Sequence, residues 1–245
     1  MPIEIDEVIR RSEQGSTQPY ICRGSNDKTY YVKGKGAGFG SLWKEWIAGS
    51  LALQLGLPIA AFSLVHVPKA LYDVGRTNVL ADLGFGVLFG SEHVESSSEL
   101  SVMNAGFIQD KTKRDIAAFD WWVKNGDRTL TENGGNPNIL WSESCQRPFV
   151  IDHNLAFDSA VTLISLLESH IFAPQLQEIC EQPSLQRHYQ GRFEHALESL
   201  DGIFRDIPQR WHHADEAETV KVNFSIDAAI AILERHRSKD FWKRT

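Results

Sequence analysis

Carboxylate and amide side chains gather in one stretch near the middle of the chain. Asp127 lies in a polar loop that ends in Asn136 and Asn138, and Asp152 follows the second of two short apolar runs. Two strands joined by a turn would place Asp127, an asparagine and Asp152 around one point. Carboxylate and amide oxygens suit a hard cation such as magnesium. Phosphoryl transfer needs this inventory: one Asp accepts the proton of the attacking hydroxyl, and an Asn and a later Asp hold metal ions.

The order of these residues resembles the catalytic loop of the HipA-like branch of the protein-kinase-like superfamily. That loop reads roughly Asn-x-Asp-Arg, then Asn-Pro-Asn-Leu-Leu, then Ile-Asp-His. The corresponding residues here are Asn125, Asp127, Arg128, Asn136, Pro137, Asn138, Ile139, Leu140, Ile151, Asp152 and His153. The resemblance implies that Asp127 orients the acceptor hydroxyl and that Asn136 and Asp152 hold magnesium. Arg128 either neutralises charge on the acceptor side or braces the loop. The alternative interpretation of the stretch is an ordinary polar turn followed by a β-hairpin.

The loop departs from the usual kinase spacing in one respect. The gap between Asp127 and the first asparagine is longer than in D-x-x-x-x-N, so residues Thr129–Gly135 must loop out. The metal-binding asparagine is therefore ambiguous between Asn136 and Asn138. The resemblance favours Asn136, because the Pro-Asn-Ile-Leu that follows it fits the family pattern.

The N-terminal part predicts a hairpin that carries a lysine. Tyr20–Arg23 and Thr29–Lys33 read as strands around a turn at Gly24–Lys28. The Tyr-Val-Lys-Gly sequence resembles the lysine-bearing strand of the family, which implies that Lys33 holds nucleotide phosphates. The turn would then lie over the phosphates, with Ser25 as a candidate contact, although it lacks G-x-G-x-x-G.

A helix is predicted at Ser41–Leu55, with Ser41 as a plausible N-cap and a stop at Gly56-Leu57-Pro58. Its sequence resembles the family's helix in which a glutamate precedes Leu-Gly-Leu-Pro, which makes Glu45 the candidate partner of Lys33. The alternative is a solvated helix glutamate. Farther along, backbone groups between Ser91 and His93, around Glu92, are expected to face adenine.

Two other segments invite a functional interpretation that their spacing does not support. Gly34–Ser41 is rich in glycine, but its glycines fit neither a dinucleotide fingerprint nor a Walker A loop, so a flexible linker is expected. Trp211–His213 places two histidines side by side, and adjacent histidines point in different directions. A loop or helix start is expected there rather than a metal site.

Composition limits the alternatives. The chain has 245 residues and a formal net charge of −7, which does not suggest a phosphate-backbone binder, so no direct nucleic-acid binding is expected. Cys22, Cys145 and Cys180 are far apart and show no metal spacing, as expected for reduced thiols in a cytoplasmic protein. No signal h-region or membrane span is evident, so no membrane partner is expected.

These observations lead to one prediction of fold and function. We expect an α+β, bilobal protein-kinase-like fold, with a small mixed β-sheet and one helix in an N-lobe (residues 1–92) and a mostly helical C-lobe (residues 93–245). The resemblance implies transfer from ATP with Mg²⁺, to serine or threonine of a protein. The alternatives are a lipid or small-molecule acceptor, or a non-catalytic nucleotide-binding module. Many HipA-like proteins are toxins paired with a DNA-binding antitoxin, so an antitoxin-type partner is left open.

Overall fold

The structure is a computed structural model that describes residues 1–13, 18–74, 80–131, 134–215 and 217–244. Two compact units make up the chain, and each is assembled from separate segments. The first comprises Met1–Trp46, Ala60–Val94 and Asp206–Phe224, and the second comprises Ile47–Ile59, Glu95–Arg205 and Ser225–Thr245. The expected division between residues 92 and 93 stays a prediction. Throughout the described ranges, no helix has the length and apolarity needed to cross a bilayer.

The strands of the first unit close into a small barrel. They are β1 (Ile3–Arg11), β2 (Tyr20–Gly24), β3 (Thr29–Lys33), β4 (Phe62–Val67) and β5 (Gly86–Glu92). The order in the barrel is β1-β2-β3-β5-β4, and the parallel pairing of β1 with β4 closes it, with Ile3 opposite Val65. The other described pairings are antiparallel, so the expected mixed sheet is present, but as a closed barrel rather than an open sheet. Its interior is apolar, with Ile5, Tyr30, Val32, Val65 and Leu88 almost fully buried.

Helix α1 (Phe39–Gln54) follows the barrel strand that carries Lys33, and α2 (Lys69–Val74) follows β4. The N-cap predicted at Ser41 is wrong, because the helix begins two residues earlier and the Ser41 amide already donates to the Gly38 carbonyl. The predicted stop is confirmed. Gly56 has φ +68°, and the Leu57 amide donates back to the Ala52 carbonyl at 3.0 Å, the closure typical of a glycine-ended helix.

The glycine-rich segment that begins at Gly34 is a hydrogen-bonded connection between β3 and α1 rather than the flexible linker that the sequence predicts. Lys35–Ala37 forms a 3₁₀ helix, and the amides of Lys35 and Gly36 donate to the carbonyls of Leu83 and Asp82 at 3.1 and 2.6 Å. A Cβ on Gly34 would lie 2.0 Å from the Leu83 carbonyl oxygen. The glycine therefore permits close backbone approach.

The second unit contains helices and a small sheet. The described helices are α3 (Val102–Ala105), α4 (Asp110–Trp122), α5 (Leu163–Ser169), α6 (Ala173–Glu181), α7 (Pro183–Leu197), α8 (Leu200–Arg205) and α9 (Ile226–Glu234). Strands β6 (Ser97–Glu99), β7 (Ile139–Ser142) and β8 (Arg147–Val150) pair in that order. The antiparallel β7–β8 hairpin that was predicted around the turn after Trp141 is thereby confirmed.

Helix α4 leads directly into the loop that contains Asp127, and its C-terminal half is embedded in the core. Trp121 and Trp122 are buried, and Trp122 stacks on Phe193 of α7 with ring centroids 4.4 Å apart. The indole N–H of Trp122 donates to the Leu233 carbonyl of α9 at 2.9 Å. Packing of these large rings fixes the end of α4 and hence the start of the loop.

Candidate active site

Two asparagine side chains hold Asp127. The Nδ2 atoms of Asn136 and Asn138 donate to Oδ2 of Asp127 at 2.7 and 3.1 Å. Both bonds reach the same oxygen, and no other described residue donates to Oδ1. Asp127 is half-buried, so this second oxygen is positioned to accept a hydrogen bond from a bound molecule.

Hydrogen bonds join the two described ends of the long loop between Asp127 and Asn136. The Thr129 amide donates to the Asn136 carbonyl at 2.9 Å, and the Asn136 amide donates to the Thr129 hydroxyl at 3.2 Å. A Cβ on Gly135 would lie 2.6 Å from the Thr129 carbonyl oxygen, so a glycine is needed for this approach. The additional residues therefore leave Asn136 beside Asp127.

Arg128 braces the loop from inside the protein. Its side chain is fully buried, and its Nε and Nη2 atoms donate to the two carboxylate oxygens of Asp120 at 2.7 and 3.3 Å. Nη1 donates to the carbonyls of Asn138 and Pro137 at 2.6 and 3.3 Å. These contacts favour the bracing role over charge neutralisation on the acceptor side, because a group that is buried and paired in this way does not face solvent.

Asp120, on α4, is the centre of a buried network that sequence reasoning did not identify. Besides Arg128 it accepts hydrogen bonds from Asn125 Nδ2 and from His170 Nε2, both at 2.9 Å. His170 Nδ1 accepts the Phe172 amide at 3.0 Å, so its proton is on Nε2. Burial alone would raise the pKa of the Asp120 carboxyl, but the Arg128 charge and the His170 hydrogen bond outweigh it and hold that pKa below its usual range. The only sequence signal was an aspartate within an otherwise apolar helix face.

The hairpin delivers Asp152 next to the asparagine loop. The Ile151 amide donates to the Asn138 carbonyl at 2.9 Å, which extends the β7–β8 ladder by one step and places Asn138 and Asp152 at the same end of the hairpin. Both residues have positive φ, +46° for Asn138 and +56° for Asp152. Asn and Asp adopt this conformation more readily than other residues with a side chain, so each suits its position at the end of the hairpin. Asp152 is half-buried, and its Oδ1 accepts the Asn154 amide at 3.3 Å.

The donor set fits a magnesium ion that is shared with phosphates. Because Asn136 and Asn138 present their amide nitrogens to Asp127, their amide oxygens are the atoms left to bind a cation. Asp152 adds a carboxylate. The described part of the chain contains no cluster of three or more His, Cys, Asp or Glu suited to a metal. Magnesium is usually bound by one or two carboxylates together with water and substrate phosphates, so an all-protein cage is not required.

The ion pair predicted in the first unit is confirmed. Lys33 Nζ of β3 lies 2.5 Å from Glu45 Oε1 of α1, with only 10% and 2% of the side chains exposed. Exclusion of water makes such a pair stronger than a surface one and fixes both side chains. The contact by Lys33 with phosphates stays a prediction.

The two remaining nucleotide-binding candidates have different surroundings. Ser25 is exposed, and its amide donates to the Glu4 carbonyl at 2.8 Å. The carboxylate of Glu92 pairs with Lys28 Nζ at 2.9 Å. The amides of Glu92 and His93 donate to the carbonyls of Ala61 and Thr29 at 2.7 and 2.8 Å, and the contact of this segment with adenine stays a prediction.

Comparisons with known proteins concern the family and the fold of the chain. The model of a family described as HipA-like kinase matches residues 5–245. Among solved structures, the crystal structure of the proinflammatory kinase CtkA from Helicobacter pylori aligns with a TM-score of 0.54 and 12% sequence identity, covering 97% of this chain and 92% of that chain. At this identity the likeness shows a shared fold. No curated protein sequence matches the chain significantly.

Proposed function

Since the chain belongs to the HipA-like kinase family, and is thus a kinase-type phosphotransferase, we propose that it transfers the γ-phosphoryl group of ATP, with magnesium, to a serine or threonine hydroxyl of a protein. The observation that carries this proposal is the convergence of Asn136 and Asn138 on one carboxylate oxygen of Asp127. It fixes the orientation of a carboxylate whose other oxygen is available to an acceptor.

Asp127 would position the acceptor hydroxyl and take its proton. When a hydroxyl donates to Oδ1 of Asp127, its hydrogen points toward the carboxylate. The lone pairs of the hydroxyl oxygen then point away from the carboxylate and can attack the γ-phosphorus. Kinase transition states are loose, so most of the rate enhancement comes from positioning and from stabilisation of charge. Arg128 backs the loop by donating to the buried Asp120 carboxylate and to the Asn138 carbonyl, and these contacts support that positioning.

The remaining residues would handle the phosphates. Asn136 and Asp152 would hold magnesium, with Asn138 as the alternative amide ligand. When bound, this ion supplies neutralisation of the phosphate charge and of the charge that develops on transfer. Lys33, fixed by Glu45, would bind phosphate oxygens through its ammonium group. The hydrogen bonds that keep Asn136 beside Asp127 favour a catalytic function over a non-catalytic module, because they preserve the kinase arrangement despite the longer loop.

The test is a transfer assay with ATP labelled on the γ-phosphate. The purified chain is incubated alone and with casein as a generic protein acceptor, with magnesium or with excess chelator. We expect magnesium-dependent label on the protein itself or on casein, recovered as phosphoserine or phosphothreonine after acid hydrolysis. Calorimetry with a non-hydrolysable ATP analogue runs in parallel. Absence of both binding and transfer contradicts the proposal. Binding without transfer to protein, combined with transfer to a lipid or small-molecule extract, replaces the proposed acceptor class.

A further inference from the structure

The segment that returns to the first unit from the C-terminal part of the chain packs on helix α1. We name residues 206–215 and 217–224 the return segment. Within it, Gln209–His212 forms a 3₁₀ helix, as was expected of a loop or helix start at Trp211–His213. The His212 carbonyl accepts the Val222 amide at 2.9 Å, and the Ala214 amide donates to the Val220 carbonyl at 2.8 Å. The segment is therefore an ordered, self-paired loop.

Its contacts with α1 are aromatic and specific. Trp43 of α1 stacks on Phe224 with ring centroids 5.2 Å apart and makes a T-shaped contact with His212, with ring centroids 4.9 Å apart. The Trp43 indole N–H donates to the Trp211 carbonyl at 2.9 Å. A Cβ on Gly40 would lie 3.0 Å from the Asn223 carbonyl oxygen, so the small residue permits this close approach. We name Trp43, Trp211, His212 and Phe224 the aromatic clamp.

Trp211 also reaches the barrel. Its side chain is completely buried, and its indole N–H donates to the Val87 carbonyl of β5 at 2.7 Å. Two residues farther along β5, Phe89 pairs with Lys33 of β3. The same residue thus bonds to α1 through its carbonyl and to the strand beside Lys33 through its side chain.

Trp43 of the clamp lies close in sequence to Glu45, the residue that pairs with Lys33. Glu45 follows Trp43 by two positions on α1, and side chains two residues apart in a helix project about 200° from each other. The clamp therefore holds α1 from the side away from Glu45, while Glu45 reaches Lys33. Loss of the clamp would let this turn of the helix shift, and an ion pair 2.5 Å long tolerates little movement.

We propose that Trp211 is a positioning residue that maintains the Lys33–Glu45 ion pair, and through it the grip on ATP phosphates. The second part rests on the proposed function. In the free protein, Trp211 and Trp43 hold α1 in a fixed position relative to β5. The ammonium group of Lys33 is therefore fixed by Glu45 before ATP binds.

The variants remove one hydrogen bond each and retain an aromatic ring. Trp211→Phe deletes the bond to the Val87 carbonyl, and Trp43→Phe deletes the bond to the Trp211 carbonyl. The matched control is Trp242→Phe, because the buried Trp242 indole N–H finds no hydrogen-bond partner among the described residues. All three are prepared in the wild-type background and with Glu45→Gln.

The first readout is a double-mutant cycle on unfolding in urea, which needs no activity. We expect Trp211→Phe to raise the unfolding constant by about tenfold in the wild-type background, the effect of a lost buried hydrogen bond. With Glu45→Gln the rise should be smaller by at least about threefold, because contacting or linked residues couple. Trp43→Phe should show the same coupling, and Trp242→Phe none. If each clamp variant raises the unfolding constant by the same factor with and without Glu45→Gln, the positioning role is refuted.

The second readout is the dissociation constant for MgATP together with KM and kcat. Either clamp variant should weaken MgATP binding and raise KM for ATP by about tenfold, the effect of one charge-assisted hydrogen bond. Neither should weaken binding further once Glu45→Gln is present. Equal weakening in both backgrounds would contradict the proposal. If the wild type binds no MgATP, the proposed function fails, and the unfolding cycle alone decides whether the clamp maintains the ion pair.

Discussion

Replacing Asp120 with asparagine would test the buried brace behind the candidate catalytic loop. Asp120→Asn keeps the shape of the side chain but removes the counter-ion of Arg128, which is fully buried. It also places an amide NH₂ among groups that all donate to this position, namely those of Arg128, Asn125 and His170. One donor must therefore face another donor, whichever way the new amide is turned.

The expected cost follows from this geometry. Removing one partner of a buried ion pair typically costs about 3–5 kcal/mol, because the other charge is left without compensation. Free energies of unfolding of about 5–15 kcal/mol are usual, so the variant loses a large part of its free energy of unfolding. The exposed Asp110, at the start of the same helix and 3.7 Å from Lys113, provides the matched control. Asp110→Asn should change the free energy of unfolding by less than about 0.5 kcal/mol.

The measurement is urea unfolding of wild type, Asp120→Asn and Asp110→Asn, followed by circular dichroism and by tryptophan fluorescence. A loss below about 1 kcal/mol for Asp120→Asn would refute the reasoning that the charge pair is critical.

The pH dependence of unfolding provides a second check on Asp120. Its folded pKa is lowered, so its contribution is complete well above the unfolded value of about 3.9 and is lost as pH falls toward the folded value. The difference between wild type and Asp120→Asn should hold from pH 7 to about pH 5 and shrink below it.

Two further predictions concern a thiol and a glycine. Hydrogen bonds from neighbouring serine hydroxyls lower the pKa of the exposed Cys145 thiol, whereas burial raises the pKa of Cys22 to about 12 and that of Cys180 to about 11. Iodoacetamide at pH 8 should modify Cys145 at least about a hundredfold faster, since each pKa unit changes the thiolate fraction tenfold, and equal rates by mass spectrometry would contradict this. A Cβ on Gly126 would lie 2.8 Å from Cγ2 of Val161, so Gly126→Ala should lower the free energy of unfolding by about 1–3 kcal/mol, and Val161→Ala should restore part of it. Absence of that rescue would refute the steric explanation.

Local patterns in the sequence were sufficient for the parts of the fold that depend on neighbouring residues. The β7–β8 hairpin, the Gly56 helix stop and the N-cap at Ser225, whose side chain accepts the Ala228 amide, follow from periodicity and capping chemistry. The sequence also predicts one helix at Ser184–Ile203, but the structure has two helices there, α7 and α8. The Ser199 hydroxyl donates to the Ala196 carbonyl at 2.8 Å, and such side-chain bonds compete with helix continuation.

The site was predictable to the extent that its residues follow a motif in order. Asp127, Asn136 and Asp152 are named by such a motif, and their proximity depends on one loop and one hairpin. The supporting residues could not be found in this way. His170 lies 50 residues from Asp120, and Trp211 lies 168 residues from Trp43. Contacts over such separations depend on how whole elements pack, and neither periodicity nor spacing encodes that packing in a single sequence.

Closure of the barrel is a second feature beyond the local pattern. Strands β2 and β3 follow from their own residues, but the sequence of Ile3–Arg11 fits a strand or a short helix equally, and the parallel pairing of β1 with β4 joins segments about 60 residues apart in the chain. An open mixed sheet and a closed barrel use the same strands. The pairing of the outer two strands decides between them.

The central claim is that Asp127 accepts the proton of the acceptor hydroxyl while Asp152 helps to hold magnesium. The most direct measurement compares label transfer and MgATP affinity in wild type, Asp127→Asn and Asp152→Asn, with the exposed Asp201→Asn as control. Asp127→Asn should bind MgATP as wild type does and transfer label about 10²–10⁴-fold more slowly, the usual value of general-base assistance. Asp152→Asn should weaken MgATP binding itself, since the cation loses a charged ligand. Label transfer by Asp127→Asn at the wild-type rate would contradict the account.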